Sequence, residues 1–174
     1  MQAITDGTDP RYRRGAGVVL FNAQARVWVG QRIDNPGPAW QMPQGGLNPG
    51  EDPFDAARRE LEEETGVTPA LTRTLDSPEG WLTYDFPDEL RRQLWRGSYV
   101  GQQQRWFAFA FLGQDSDVNI DTREPEFSAW QWVELEQTMD LIVPFKRDLY
   151  ASVVAAFTPI RDRLRAGGLK RRRH

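Results

Sequence analysis

Three carboxylates, Glu60, Glu63 and Glu64, stand at i, i+3 and i+4 within one short stretch of the chain. On an α-helix that spacing makes side chains neighbours, so the three repel one another by a few tenths of a kcal/mol per pair unless something cationic sits among them. Two readings follow from the residues alone. One is an ordinary solvated acidic face. The other is a seat for a hard divalent cation: such ions take oxygen ligands, and Mg²⁺ is typically shared between one or two carboxylates, water and the phosphates of a substrate. Cysteine is absent and the one histidine, His174, is terminal, so thiolate and internal imidazole sites are excluded and any metal must be held by oxygen.

The segment that must position these carboxylates reads as a glycine-rich loop feeding a helix. Gly45 to Glu51 forms the loop; Asp52 can accept from the free N–H groups of the first turn, Pro53 suits the first helical position, and Asp55 complements the dipole. Gly66 supplies the stop. Steps of about 100° gather Phe54, Ala57 and Leu61 into a core-facing stripe beside the acidic face. Upstream, a first strand is expected at about Ala16 to Phe21 and a second at Val27 to Arg32, paired as a hairpin across the turn-like Asn22 to Arg26. Asp34 to Pro38 is a loop. Downstream, Thr68 to Leu75, Trp81 to Phe86, Gln104 to Leu112 and Phe127 to Val133 read as strands, separated by a charged excursion at Pro87 to Gly97 and a loop at Asp115 to Pro125. Apolar residues at helical spacing from Pro144 to Leu164 predict a second long helix.

A length of 174 residues suits one domain. The net charge of −3 conceals an asymmetry: Arg161 to His174 carries +6, leaving −9 for the rest. The chain therefore divides into a flexible leader at 1–10, a domain at 11–160 and a basic tail at 161–174, the tail read as solvated or as an attraction for nucleic-acid phosphates. No segment has the apolar core of a secretory signal or the roughly 20 apolar residues of a membrane span, so a cytoplasmic protein without a membrane or obligate protein partner is expected. Strands surrounding one internal helix, with a second helix at the end, predict an α+β domain with a mixed sheet between helices.

The central stretch resembles the Nudix hydrolase signature, G-x5-E-x7-R-E-U-x-E-E-x-G-U with U aliphatic, at every fixed position: Gly45, Glu51, Arg59, Glu60, Leu61, Glu63, Glu64, Gly66 and Val67. Nine constrained positions at fixed spacing make this far more specific than a lone glycine motif. The resemblance implies a Nudix-type α/β/α sandwich and hydrolysis of a nucleoside diphosphate linked to another group, with Mg²⁺ as cofactor and Mn²⁺ or another divalent cation able to substitute. It implies Glu60 and Glu64 as principal metal ligands, Glu63 as a further ligand or the catalytic base, and Gly45 as part of the metal site. Arg59 is expected to orient the glutamates as their charge partner, Glu51 to cap or support, and Glu62 to point away into solvent.

A narrower resemblance runs from about Tyr12 to Phe157. Tyr12-Arg13, the run from Trp40 to Gly46, Trp81 to Tyr84, Gly101 to Phe107, Pro125-Glu126-Phe127 and Phe145 to Asp148 are similar to segments shared by bacterial RNA pyrophosphohydrolases and plant-type diadenosine tetraphosphate hydrolases. It implies Glu126 as an additional metal ligand. Arg13 and Arg32, which flank early strands, and Lys146, in the matched Phe-Lys-Arg-Asp segment, are candidate cations for the polyphosphate, against a reading as ordinary surface charge. Tyr84 is read as a surface for a base or as a half-buried strand residue, and Gln44, Gln104 and Phe145 as further candidate substrate contacts; Trp106, Phe107, Trp130 and Trp132 are expected in the core. Two departures bear on substrate preference: Arg14-Gly15-Ala16 stands where Pro-Asn-Val is common, and Arg105 where Lys is usual. The function expected is a Mg²⁺-dependent pyrophosphohydrolase acting on 5′-triphosphorylated RNA or dinucleoside polyphosphates. The alternatives are a hydrolase of a nucleotide sugar or damaged nucleoside triphosphate, and a binding domain without catalysis.

Overall fold

The strand against which the site is built is β1 (Tyr12–Phe21), and its longest partner is β7 (Gly101–Phe111), parallel to it over ten residue pairs from Tyr12 and Gly101 to Phe21 and Ala110. The structure, a computed structural model, describes residues 7–167. Around the central pair lie β2 (Val27–Arg32), β3 (Trp40–Gln41), β4 (Gln44–Gly46), β5 (Thr72–Thr74), β6 (Leu82–Asp85) and β8 (Phe127–Val133). β5 and β6 pair antiparallel with β7, while β8 and β3 pair antiparallel with β2. The result is one mixed sheet.

Alternation along β1 sends Ala16, Val18 and Leu20 to one face and Val19 and Phe21 to the other, with all five fully buried. The first face is covered by α1 (Pro53–Thr65), the second by α4 (Arg147–Arg165), which buries Leu149, Tyr150, Val153 and Phe157. Two short helices, α2 (Asp88–Gln93) in the charged excursion and α3 (Thr138–Leu141) before α4, complete the set. This is the α+β sandwich expected, with a mixed sheet between helices.

Several local expectations are revised. The β1–β2 hairpin is one pair deep, Phe21 opposite Val27, because β4 takes the place beside β1 at Gly15 to Gly17 and β2 turns to β8. Thr68 to Leu75 is a 3₁₀ turn at Pro69–Leu71 followed by three residues of strand. At the ends, Gly7 and Asp9 are tied down by the Gln103 side chain, whose Oε1 accepts from the Asp9 N–H at 2.9 Å, so the leader is partly ordered. Arg161 to Arg165 belong to α4, and Arg161 is buried and paired with Glu136 and Asp162, so the basic tail does not begin at 161. The rest of both terminal segments, 1–6 and 168–174, lies outside the described residues. No described helix is long and apolar enough to cross a membrane.

Candidate active site

The helix caps form as the residue types require. Asp52 accepts from the N–H groups of Phe54 at 2.9 Å and Asp55 at 3.3 Å, and Gly66, at φ 74°, donates its N–H to the Glu62 carbonyl. With Ala56, Ala57 and Leu61 turned into the sheet, the glutamate face lies across the edge of the interface and its members differ. Glu64 is 5% exposed, Glu60 is half-buried and Glu63 is exposed. Glu62, expected to point away, is exposed yet lines the same cleft.

Two adjacent glycines of β4 make room for two opposite charges. A Cβ on Gly45 would lie 2.1 Å from Cδ of Glu60, and one on Gly46 would lie 2.3 Å from the guanidinium nitrogens of Arg13. Any larger residue at 45 would therefore expel the Glu60 carboxylate. Arg59 is the charge partner expected: its Nε and NH2 each contact a Glu51 oxygen at 2.8 Å, its NH1 reaches Glu60 at 2.7 Å and Glu63 at 3.2 Å, and NH2 also donates to the Gly46 carbonyl at 2.9 Å. The Arg59 guanidinium holds the Glu51 carboxyl down to about 2, and Glu51 in turn accepts the Asn48 N–H at the loop. Glu51 thus ties the glycine loop to the helix.

Glu64 is the anomaly. Burial, and then a hydrogen bond and repulsion from Glu60, raise its carboxyl well above the usual range, with the backbone N–H of Gln44 acting in the opposite sense. Its Oε1 is buried and has no hydrogen-bond partner among the described residues. An orphaned buried carboxylate oxygen beside a second carboxylate fits a divalent cation, which would satisfy that oxygen and remove the repulsion. No group of three or more acidic side chains among the described residues closes around a point by itself. That suits an ion completing its shell with water and substrate phosphate, as Mg²⁺ does.

The cleft over this face measures about 660 Å³ and is lined by the helix glutamates, Arg59 and a second wall of Thr122, Arg123, Glu124 and Glu126. Glu126 thus joins the glutamates as expected from the resemblance. Thr122 and Arg123 were not anticipated, since the loop carrying them has no periodicity to reveal which residues turn inward.

Beyond Glu64 lies a cationic flank. Arg32, at the end of β2, is paired through both arms with Asp34 at 2.7 and 2.5 Å, so its fork is already engaged. Lys146 is half-buried with its Nζ 5.6 Å from the Tyr84 ring centre and 5.9 Å from that of Phe145. Burial, followed by repulsion from Arg32, brings its amine down to about 8, against the pull of Glu64 and Asp34.

Two expected substrate contacts are instead structural. Tyr84 is 3% exposed, packed on Phe86 and Phe145, with its hydroxyl donating to Gln102 at 3.0 Å; it has no face to offer a base. Gln104 is 1% exposed and spends its amide on Gln44 at 2.8 Å and Gln102 at 3.0 Å, while accepting from the Trp106 indole. It orients Gln44, which is half-buried at the site, and Phe145 is likewise half-buried. Trp106 and Phe107 are core, and Trp130 and Trp132 pack half-buried against the α1-side core.

Comparison with known proteins agrees with this architecture. Residues 11–153 match the NUDIX domain profile. An RNA pyrophosphohydrolase of Rhodospirillum rubrum is 55% identical over 144 residues, covering 83% of this chain and 86% of that protein. Another, from Roseobacter denitrificans, is 54% identical over 146 residues, 84% of this chain and 91% of that protein. Among solved structures, the C. elegans Ap4A hydrolase in a binary complex superposes with a TM-score of 0.64 at 22% identity, covering 85% of this chain and 96% of that one, a likeness of fold. Nudix hydrolases generally use divalent cations, in keeping with the orphaned Glu64 oxygen. On its profile, its relatives and its intact glutamate face, the chain belongs to the Nudix hydrolases.

Proposed function

We propose that this enzyme is a cytoplasmic, Mg²⁺-dependent RNA 5′-pyrophosphohydrolase, converting triphosphorylated RNA ends to monophosphorylated ones. The observation that carries the reading is the identity of 46–55% to proteins named RNA pyrophosphohydrolase, extending over most of the chain.

Glu60 and Glu64, with Glu63, Glu126 and Gly45, would hold Mg²⁺, or Mn²⁺ in its place. Such a cation neutralises phosphate oxygens and makes water a better nucleophile. Arg59 fixes Glu60 and Glu63 at bonded distance, which keeps the two carboxylates aimed without letting them spread. Glu63, the most exposed of the three on the helix, is the one able to take a proton from water at the open side of the cleft. Arg13, Arg32 and Lys146 meet phosphate charge, Gln44 is held ready by Gln104, and Phe145 is the aromatic surface left to a base once Tyr84 is recognised as core.

The test is a side-by-side incubation of the protein with 5′-triphosphorylated RNA and diadenosine tetraphosphate at millimolar Mg²⁺. Monophosphorylated RNA formed with the higher kcat/KM is the expected result. Faster turnover of the dinucleotide would move the assignment to dinucleoside polyphosphates, and turnover of neither would overturn it.

A further inference from the structure

The cleft holds an unused cation. The cleft walls carry the carboxylates of Glu60, Glu62, Glu63, Glu64, Glu124 and Glu126 against two guanidinium groups, Arg59 and Arg123. Arg59 is consumed by Glu51, Glu60 and Glu63. Arg123 is exposed and, among the described residues, makes no ion pair although several carboxylates share its cleft. Its neighbour Thr122 presents a buried hydroxyl oxygen with no hydrogen-bond partner among the described residues. A buried, unpartnered hydroxyl is costly, so it marks a position where a partner is missing.

The loop presenting this pair is not a free arm. At one end the Asn119 N–H donates to the Thr65 carbonyl at the end of α1, at 2.8 Å; at the other the Ile33 N–H donates to the Glu126 carbonyl at 3.0 Å. Asn119 also accepts the Asp121 N–H through its side chain at 2.9 Å. Thr122 and Arg123 are thus held over the glutamates between two fixed points.

Position then separates two ends of the site. Lys146, within electrostatic reach of Glu64 and Arg32, has the Phe145 ring centre 5.9 Å from its Nζ, and neither Lys146 nor Arg32 lines the cleft that holds Arg123. The end with an aromatic ring suits the nucleoside. The end with Arg123 has no aromatic residue in its lining and offers a planar fork of donors plus a hydroxyl, a set that matches phosphate oxygens.

Resting on the function proposed above, we propose that Arg123, assisted by Thr122, contacts the terminal phosphates of the substrate, those that depart as pyrophosphate. In the reaction the water oxygen bonds to the phosphorus nearest the ribose and the bridging P–O bond to the next phosphate breaks. Its electron pair leaves on pyrophosphate, and the proton of the water passes to a carboxylate of the site. Arg123 stands where the departing charge accumulates, so it acts on substrate and product.

Inorganic pyrophosphate, used as a product inhibitor of the full-length enzyme at saturating Mg²⁺, reads this contact. Arg123→Gln is expected to raise the inhibition constant about tenfold or more, the scale of a lost charge-assisted hydrogen bond. Arg123→Lys should restore part of the affinity, and Thr122→Val should show a smaller loss. Arg92→Gln, an exposed cation on α2, should change nothing, and melting temperatures should match wild type throughout. An unchanged pyrophosphate constant in Arg123→Gln overturns the inference while leaving RNA hydrolysis by the wild type, and so the proposed function, standing. A variant that needs more Mg²⁺ yet binds pyrophosphate normally also overturns it, making Arg123 a charge balancer for the glutamates. Should the wild type fail to hydrolyse RNA, calorimetric titration of pyrophosphate into the Mg²⁺-loaded proteins still decides, with equal affinities counting against Arg123.

Discussion

Helices α1 and α4 lie on opposite faces of one sheet and serve opposite ends. α4 is 19 residues long and buries Leu149, Tyr150, Val153, Val154, Phe157 and Ile160. α1 has 13 residues and meets the sheet chiefly through Ala56, Ala57 and Leu61, small enough to bring its backbone close, while its edge carries Glu60 and Glu64 in mutual repulsion. The apolar face stabilises the domain, and the stability it contributes is what allows a destabilised carboxylate pair to persist opposite it. Even a polar group of α4 serves order: the Tyr150 hydroxyl accepts the Met42 N–H at 2.9 Å, pinning the approach to β4 from behind.

If the two faces divide the work in this way, substitutions should separate activity from stability. Glu64→Gln should lower kcat/KM by about 10³ or more, as for loss of a group central to metal-assisted hydrolysis, while leaving the melting temperature unchanged or raised because a buried charge is gone. A variant that melts earlier but still turns over would end the division. On the other face, Phe157→Ala should cost about 3–5 kcal/mol in urea unfolding, with kcat of the folded fraction within about twofold of wild type. Gly45→Ala probes the seam between them: its Cβ would displace the Glu60 carboxylate, so turnover should fall about 10–100-fold, in line with disturbed support of a metal ligand, in a protein that unfolds normally.

The smallest effect concerns pH. Lys146 sits near 8, below the ordinary lysine value, so in the free enzyme its charge fades as pH rises through about 8. KM for the polyphosphate should rise about tenfold between pH 7 and 9, and a Lys146→Arg variant, which cannot lose its charge, should not show the rise. The sign for stability is the reverse. Because the unfolded chain binds this proton more tightly, wild-type stability relative to that variant should increase from about pH 8 to the unfolded value.

Much of α1 was legible in the sequence because its signals are local: cap, proline, glycine stop and a carboxylate spacing read along one helix. The strands Gln104 to Leu112 and Phe127 to Val133 were legible from their alternation, and the strand at Ala16 to Phe21 was placed as well. What escaped depended on contacts between distant segments. β4 is three residues long beside Pro43, too short to alternate, yet it decides what lies beside β1 and so defeats the expected hairpin. Tyr84 and Gln104 sit on strands whose apolar and polar residues do not declare which face is covered, and α4 and the glutamine network buried both. Thr122 and Arg123 come from a loop whose course is set by Asn119 and Glu126 bonding to other elements, a constraint invisible to any local pattern.

The parallel ladder at the centre has a consequence for how the molecule comes into being. Tyr12 pairs with Gly101 and Phe21 with Ala110, a constant offset of 89 residues, so the strand beneath α1 finds its main partner only after half the chain has passed. Such non-local closure is slow relative to helix formation. On the ribosome the acidic helix emerges early and must wait, its glutamates facing water, until Phe111 is made and β7 docks. The site is therefore assembled late, and a chain truncated before β7 would carry the full signature from Gly45 to Val67 with no sheet to hold it.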